Sequence, residues 1–174
     1  INDAEAASAS GLIFEKKNPA TGEISAQVAR GNGQDASMAL SVAEEAFKNW
    51  SSVNVIKRAE ILREAALLMR DQKKELAEIV ALEAGKPMRD ALGEVDAAIE
   101  CGFYFAGEGR RYFGKVIQSA APNRHEEMWR EPIGVGALII PFNNPSANIA
   151  WKLFPALLCG NAAVLKAHEY IPHV

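Results

Sequence analysis

The sequence predicts an α/β chain. A run of helices leads into the start of a doubly wound parallel sheet, a β-ribbon protrudes between them, and the sheet is left truncated. Three observations carry this prediction. Between Asp35 and Trp50 the apolar residues Ala39, Val42, Ala43, Ala46, Phe47 and Trp50 recur at the spacing of one helix face. Residues 134–140 (GVGALII) and 162–166 (AAVLK) are short continuous apolar runs, as expected of strands buried on both faces of a parallel sheet. Residues 146–158 between them are helical in pattern, which makes a β-loop-α-β unit with a right-handed crossover.

The remaining elements follow in order. Residues 1–12 are rich in Ala and Ser and read as a mobile arm. Residues 13–16 and 23–28 read as extended pieces joined by the turn chemistry of Asn18-Pro19 and Thr21-Gly22. Asp35 is the expected N-cap of the first helix. Helices follow over 55–70 and 73–84, the latter stopped by Gly85 and Pro87. A long helix is expected over 88–113, with Leu92, Val95, Ile99, Gly102 and Ala106 on one face. Its glycines 93, 102, 107 and 109 weaken an isolated helix and are expected to permit close packing. Residues 115–119 and 126–131 read as a two-stranded ribbon, either an oligomer contact or a solvent-facing hairpin.

Pro155 is expected to kink or break the helix over 146–158, and Gly160-Asn161 to cap it. The predicted divisions are thus an arm (1–12), a hairpin and helical part (13–114), a ribbon (115–131) and a first βαβ unit (132–174). Two parallel strands leave 162–166 as an open edge, and one βαβ unit buries too little surface to offset its ordering entropy. The chain therefore reads as the front part of a larger α/β protein. Its first residue, Ile1, suggests a start inside a longer reading frame.

Composition excludes several classes. The 174 residues carry 19 Lys+Arg against 22 Asp+Glu, a formal net charge of −3, so there is no electrostatic footprint for nucleic acid or an anionic membrane. The longest apolar run, 133–142, falls short of the roughly 20 residues a spanning helix needs. No basic stretch followed by an apolar one opens the chain, so a secretory leader is not expected. Two cysteines without a CxxC argue against a disulfide framework and favour the cytoplasm or an organelle matrix. His125, His168 and His173 have no metal-ligand spacing.

The chemistry-bearing residues lie in the last part of the chain. The turn Pro141-Phe142-Asn143-Asn144-Pro145 follows the first buried strand, and ligands bind at the carboxyl ends of strands in open α/β sheets. An Asn there can aim its amide at a developing oxyanion, although a turn built from Asn and Pro needs no function. Lys166 and Glu169 follow the second strand and suit the hydroxyls of a ribose, or form an ordinary loop charge pair. The GxGxxG dinucleotide fingerprint is absent from the strand-to-helix turn. Cys101 and Cys159 sit in apolar helical contexts and read as core thiols rather than nucleophiles.

Taken together, Arg130-Glu131-Pro132-Ile133-Gly134-Val135, Ile140 to Pro145, Ala150 to Leu157, Gly160-Asn161, Leu165 to Glu169 and Pro172 closely resemble the aldehyde dehydrogenase superfamily. Asn18 to Glu23 and Leu82-Glu83-Ala84-Gly85-Lys86-Pro87 resemble its N-terminal region, and the likeness runs from about Phe14 to the end. The resemblance implies NAD(P)-dependent oxidation of a small-molecule aldehyde to an acid. A cysteine thiolate attacks the aldehyde, and a Glu-activated water releases the thioester.

By the same resemblance Asn143 is the oxyanion-hole Asn, Lys166 and Glu169 hold the adenosine ribose, and Ile140, Pro141 and Phe142 line the cofactor cleft. Lys152 matches a Lys near the active site, either a proton-relay member or a solvated helix charge. The cofactor implied is NAD, with NADP possible, because Glu169 would repel a 2′-phosphate. The ribbon over 115–131 implies a homodimer or homotetramer. No nucleic-acid or membrane partner is expected.

Three departures stand out: Phe142 where many members have Trp, Asn144 where Phe is commoner, and Lys166-Ala167-His168-Glu169 where Lys-Pro-Ser-Glu is common. The family's cofactor loop, general-base Glu and nucleophilic Cys are expected beyond Val174, so these 174 residues alone are expected to be inactive. A non-catalytic scaffold or subunit partner acting through the ribbon is the alternative. An acylating or semialdehyde-specific enzyme is a third reading.

Overall fold

The computed structural model describes residues 4–174. Strands β1 (Ile13–Lys17) and β2 (Ile24–Ala29) form an antiparallel hairpin with a register shift between Lys16 and Lys17. Its turn is held by Asn18: the Asn18 and Glu23 backbones bond, and the Ala20 N–H donates to Asn18 Oδ1 at 2.8 Å. Residues 1–3 of the expected arm lie outside the described residues. Further along it, the Ala9 N–H donates to Asp35 Oδ1 at 2.8 Å.

Helix α1 (Gly33–Ser52) is capped three residues before the expected position. Asn32 is the N-cap, and Asp35 sits at the third helical position of a capping box. Asn32 Oδ1 accepts from the Gln34 N–H at 2.8 Å, and Asp35 Oδ2 accepts from the Asn32 N–H at 2.8 Å. Two orphan donors are thus satisfied reciprocally, with Asp in the role usually given to Glu.

Helices α2 (Val55–Asp71) and α3 (Lys73–Ala84) match the predicted spans to within a residue. Gly85 ends α3 in the left-handed conformation with φ +67°, and a Cβ there would meet Pro19 Cγ at 2.6 Å. The buried Lys16 ammonium fixes the hairpin at the same place, donating to the Glu83 and Lys17 carbonyls at 2.9 Å each.

Helix α4 (Met88–Glu108) is the centre of the helical layer and packs on α2, α3 and α5 (Pro145–Leu158). It is shorter than expected. A 3-10 turn over Gly109–Arg111 replaces its last predicted turn. Gly102 is a close-approach glycine, since a Cβ would lie 2.8 Å from Phe154 Cζ and 2.9 Å from Ala66 Cβ. Gly109 abuts the Ala59 methyl in the same way. Gly93 and Gly107 do not fit the expectation: nothing lies near a Cβ at Gly93, and Gly107 faces only the flexible Arg111 guanidinium. Two apolar clusters fill the layer. One is built on Leu62, Ala98, Ala150, Phe154 and Leu158, the other on Val80, Ala91, Val95 and Ile99.

The ribbon forms from β3 (Lys115–Gln118) and β4 (His125–Met128), antiparallel and exposed at every position. The parallel pair is β5 (Val135–Ile139) and β6 (Ala162–Lys166), in register from Val135 opposite Ala162 to Ile139 opposite Lys166. β5 is not buried on both faces as its composition suggested. Ala137 and Ile139 stay exposed because no described element covers that face, while α1 and α5 pack against the pair.

Pro155 does not end α5, which continues to Leu158. The C-terminus is closed by a Schellman arrangement. Gly160 at φ +86° donates its N–H to the Leu157 carbonyl, and the Asn161 N–H donates to the Ala156 carbonyl. Side chains from two other helices engage its last carbonyls. The Trp50 indole N–H donates to the Leu157 carbonyl and the Arg58 Nε–H to the Leu158 carbonyl, each at 2.9 Å. These external donors satisfy carbonyls of the last turn that have no partner within the helix.

Candidate active site

The carboxyl ends of β5 and β6 lie side by side, and the predicted site residues gather there. Ile140 is 1% exposed and extends the parallel ladder by one bond, its N–H donating to the Lys166 carbonyl at 3.1 Å. Pro141 is half-buried, while Phe142, Asn143 and Asn144 are exposed. Pro145, buried, occupies the first turn of α5, where its missing N–H costs nothing.

The start of α5 is capped from outside its own sequence. Asn144 stands at the N-cap but makes no side-chain cap bond. Instead the Ser146 N–H donates to Glu94 Oε1 of α4 at 2.7 Å. The other carboxylate oxygen of Glu94 accepts from Lys86 Nζ at 2.5 Å. Lys86 also donates to the Asn143 carbonyl at 2.8 Å and to Asn144 Oδ1 at 3.2 Å. A charge placed at the positive end of a helix suits a carboxylate. Among the described residues the Asn143 side-chain amide makes no hydrogen bond, so the backbone of this residue is held while its amide projects free.

At the β6 end, Lys166 Nζ lies 3.8 Å from Glu169 Oε2 and donates to the Ala167 carbonyl at 2.7 Å. Glu169's own backbone N–H, followed by neighbouring His168 and Lys166, holds its carboxyl below the usual carboxylate range. An ammonium and a carboxylate this close form a donor–acceptor pair suited to a vicinal diol. The two loops are joined by rings: Phe142 to His168 at 5.3 Å, His168 to Tyr170 at 5.0 Å and Phe142 to Tyr170 at 6.2 Å, all edge-on or tilted. A cleft of about 400 Å³ opens between these rings and the β1 hairpin, with Glu169, Phe142 and Tyr170 on one wall and Phe14 and Lys16 on the other.

Lys152 projects from α5 back onto β5, where its ammonium donates to the Ile139 carbonyl. Its ammonium makes no hydrogen bond to Asn143. Cys101 and Cys159 are half-buried free thiols. Burial pushes the Cys101 thiol up, away from nucleophilic character. No cluster of three or more His, Cys, Asp or Glu suited to a metal occurs among the described residues. No described helix is long and apolar enough to cross a membrane.

Sequence reasoning did not single out Glu94, and it used Lys86 only as a landmark. The signal for Glu94 was present: it is a carboxylate inside the apolar stripe Ala91, Val95, Ala98, and it is 6% exposed. A buried charge is paired or hydrogen-bonded, so a partner for it is expected.

The arrangement is an α/β crevice at the carboxyl edge of a parallel pair, the place where open α/β sheets take their ligands. The model of the Aldehyde dehydrogenase family matches residues 6–174, and the chain belongs to that family. It is 42% identical to malonate-semialdehyde dehydrogenase of Halalkalibacterium halodurans over 94% of this chain and 34% of that protein. To malonate-semialdehyde dehydrogenase 2 of Bacillus cereus it is 43% identical, over 89% and 32%. Its structure superposes on an NADP-dependent enzyme of E. coli with a TM-score of 0.94 and 33% identity, covering 99% of this chain and 36% of that one. The corresponding figures for betaine aldehyde dehydrogenase of Staphylococcus aureus in complex with NAD+ are 0.93, 29%, 99% and 35%. The chain thus spans about a third of the length of the curated relatives it matches.

Proposed function

We propose that this chain supplies the oxyanion donor and the adenosine-ribose contacts of an NAD(P)-dependent aldehyde dehydrogenase. The observation that carries the reading is the Asn143 amide, unbonded at the carboxyl end of β5 while its own carbonyl is clamped. When a thiolate adds to an aldehyde, the carbonyl oxygen gains negative charge. A fixed amide N–H aimed at that oxygen stabilises the transition state more than the ground state. Lys166 and Glu169 bind and orient the ribose, Lys166 donating to one hydroxyl and Glu169 accepting from another. Ile140, Pro141 and Phe142 wall the crevice beside them. A bound nicotinamide dinucleotide supplies the hydride acceptor. The ionised Glu169 favours NAD over NADP by repelling a 2′-phosphate.

Lys152 belongs in this reading as a residue that ties α5 to the end of β5 and supports the loop between them. The ribbon, with Val116 79% and Trp129 75% exposed, is the proposed contact of a homodimer or homotetramer. The boundaries 13–114, 115–131 and 132–174 separate this ribbon from the two parts of the cofactor-binding domain. The cytoplasm is the proposed location.

The names of the relatives make malonate semialdehyde the first substrate to test. The protein is purified at the full length of its gene and given that aldehyde with NAD+ and, separately, NADP+. Aldehyde-dependent formation of the reduced nucleotide is the expected result, faster with NAD+. No reduced nucleotide with either cofactor, across a panel of small aldehydes, overturns the reading in favour of a non-catalytic scaffold.

A further inference from the structure

We infer that Lys86 and Glu94 are positioning residues for Asn143, acting as a two-member clamp that sets where its amide points. The inference rests on the oxyanion reading of Asn143. The Lys86 ammonium has three N–H donors, and three acceptors surround it: Glu94 Oε2 at 2.5 Å, the Asn143 carbonyl at 2.8 Å and Asn144 Oδ1 at 3.2 Å. Two of the three belong to the loop that carries the proposed donor. The third, Glu94, anchors the ammonium to α4 and with its other oxygen holds the Ser146 N–H at the start of α5. Loop and helix start are therefore fixed to the same side chain.

Burial stiffens one end of the clamp. The Glu94 side chain is 3% exposed and that of Lys86 is 17% exposed, so little water competes for the ion pair, while the two bonds from Lys86 to the loop are open to solvent. A buried ion pair is not in itself a source of net stability, because the desolvation of both charges offsets their attraction. What such a pair does supply is geometry. Here that geometry converges on one residue: the Asn143 carbonyl is tied through Lys86 to α4, so the backbone that carries the Asn143 side chain cannot shift relative to α4 without breaking that bond. Asn144, where the resemblance expects Phe, turns its Oδ1 to Lys86 and adds a bond that Phe cannot make. A well-placed donor loses most of its effect when displaced by about 1 Å, a shift that can cost on the order of 100-fold in rate.

The test is a mutant cycle in the protein at its full gene length, with reduced-nucleotide formation as the readout and cofactor KM measured alongside kcat. Lys86→Met is expected to lower kcat by about 10- to 100-fold with the cofactor KM unchanged. Glu94→Gln keeps an acceptor for the Ser146 N–H but loses the charge that holds Lys86, and it is expected to shift kcat in the same direction by less. Lys86→Arg, which keeps the charge, is expected to recover part of the loss.

In an Asn143→Ala background the same substitutions are expected to cost nothing further, because no amide remains to be aimed. Equal losses with and without Asn143 mean a general structural role and overturn the inference. If Lys86→Met does not fold, Glu94→Gln carries the cycle. A wild type that oxidises no aldehyde removes the proposed function and this inference together, as does an active enzyme that Asn143→Ala does not slow. An active enzyme slowed by Asn143→Ala but indifferent to Lys86→Met and Glu94→Gln removes this inference alone.

Discussion

Arg58 and Leu158 are separated by 100 positions in sequence, yet the Arg58 Nε–H donates to the Leu158 carbonyl at 2.9 Å. The same guanidinium reaches the Val53 carbonyl just before α2, and it is 6% exposed. One side chain therefore closes the end of α5 and fixes the junction between α1 and α2. Desolvation lowers the pKa of Arg58, but a guanidinium stays charged at any ordinary pH. Arg58→Met leaves the buried Leu158 carbonyl and the part-buried Val53 carbonyl without this donor and is expected to destabilise the protein by about 2–4 kcal/mol, read as a lower urea midpoint. A midpoint equal to wild type removes Arg58 from this role.

The glycines of α4 separate into two kinds. Gly102→Ala forces a methyl group against Phe154 and Ala66 and is expected to cost about 1–3 kcal/mol. Gly93→Ala, in an exposed turn with open space at the Cβ, is expected to stabilise by about 0.5–1 kcal/mol through helix propensity. Denaturation of the two variants side by side checks the contrast, and a shift of the same sign in both refutes it.

Asn143→Ala is expected to lower kcat about 100- to 1000-fold, equivalent to about 2.7–4 kcal/mol of transition-state stabilisation. Steady-state kinetics with chemistry shown to be rate-limiting tests this. Asn143→Asp, which replaces the N–H by a negative oxygen, is expected to be no better than Ala.

The Glu169 carboxyl lies below its ordinary value of 4.5. A lowered carboxyl pKa contributes stability above the ordinary value and loses it as pH falls through the lowered one. Glu169 is therefore ionised from alkaline down to mildly acid pH, and the preference for NAD+ over NADP+ is expected to be flat over that range. Glu169→Gln is expected to raise kcat/KM for NADP+ relative to NAD+. A ratio unchanged by the substitution removes Glu169 as the discriminating group.

The sequence was legible where one local rule acted alone. Residues 73–84 end on a clear stop signal and 162–166 form an unbroken apolar run, and their bounds were read to the residue. Reading failed where distant groups decided the outcome. Asp35 looked like a cap, but Asn32 three residues earlier took that place and left Asp35 to bond backward. Pro155 was expected to kink or break its helix, but α5 runs on to Leu158, where Trp50 and Arg58 from two other helices hold the last carbonyls. Gly93 and Gly102 are indistinguishable by type, and only the position of Phe154 separates them. In the candidate site, Asn143, Lys166 and Glu169 stood out by their place after the strands, and their proposed roles came from the family resemblance. The clamp did not stand out, because Lys86 and Asn143 are 57 residues apart and nothing in either neighbourhood encodes the meeting.

The hairpin anchor has a consequence for chemical reactivity. Lys16 and Lys17 are adjacent, yet the first is 7% exposed, with its amine bonded to two carbonyls, and the second is open to solvent. An acylating reagent needs a free amine lone pair, so in the folded protein it should label Lys17 and spare Lys16. Such a pair is an internal gauge: peptide mapping after brief labelling reports how often the hairpin lifts away from α3, with the neighbouring residue as its own reference.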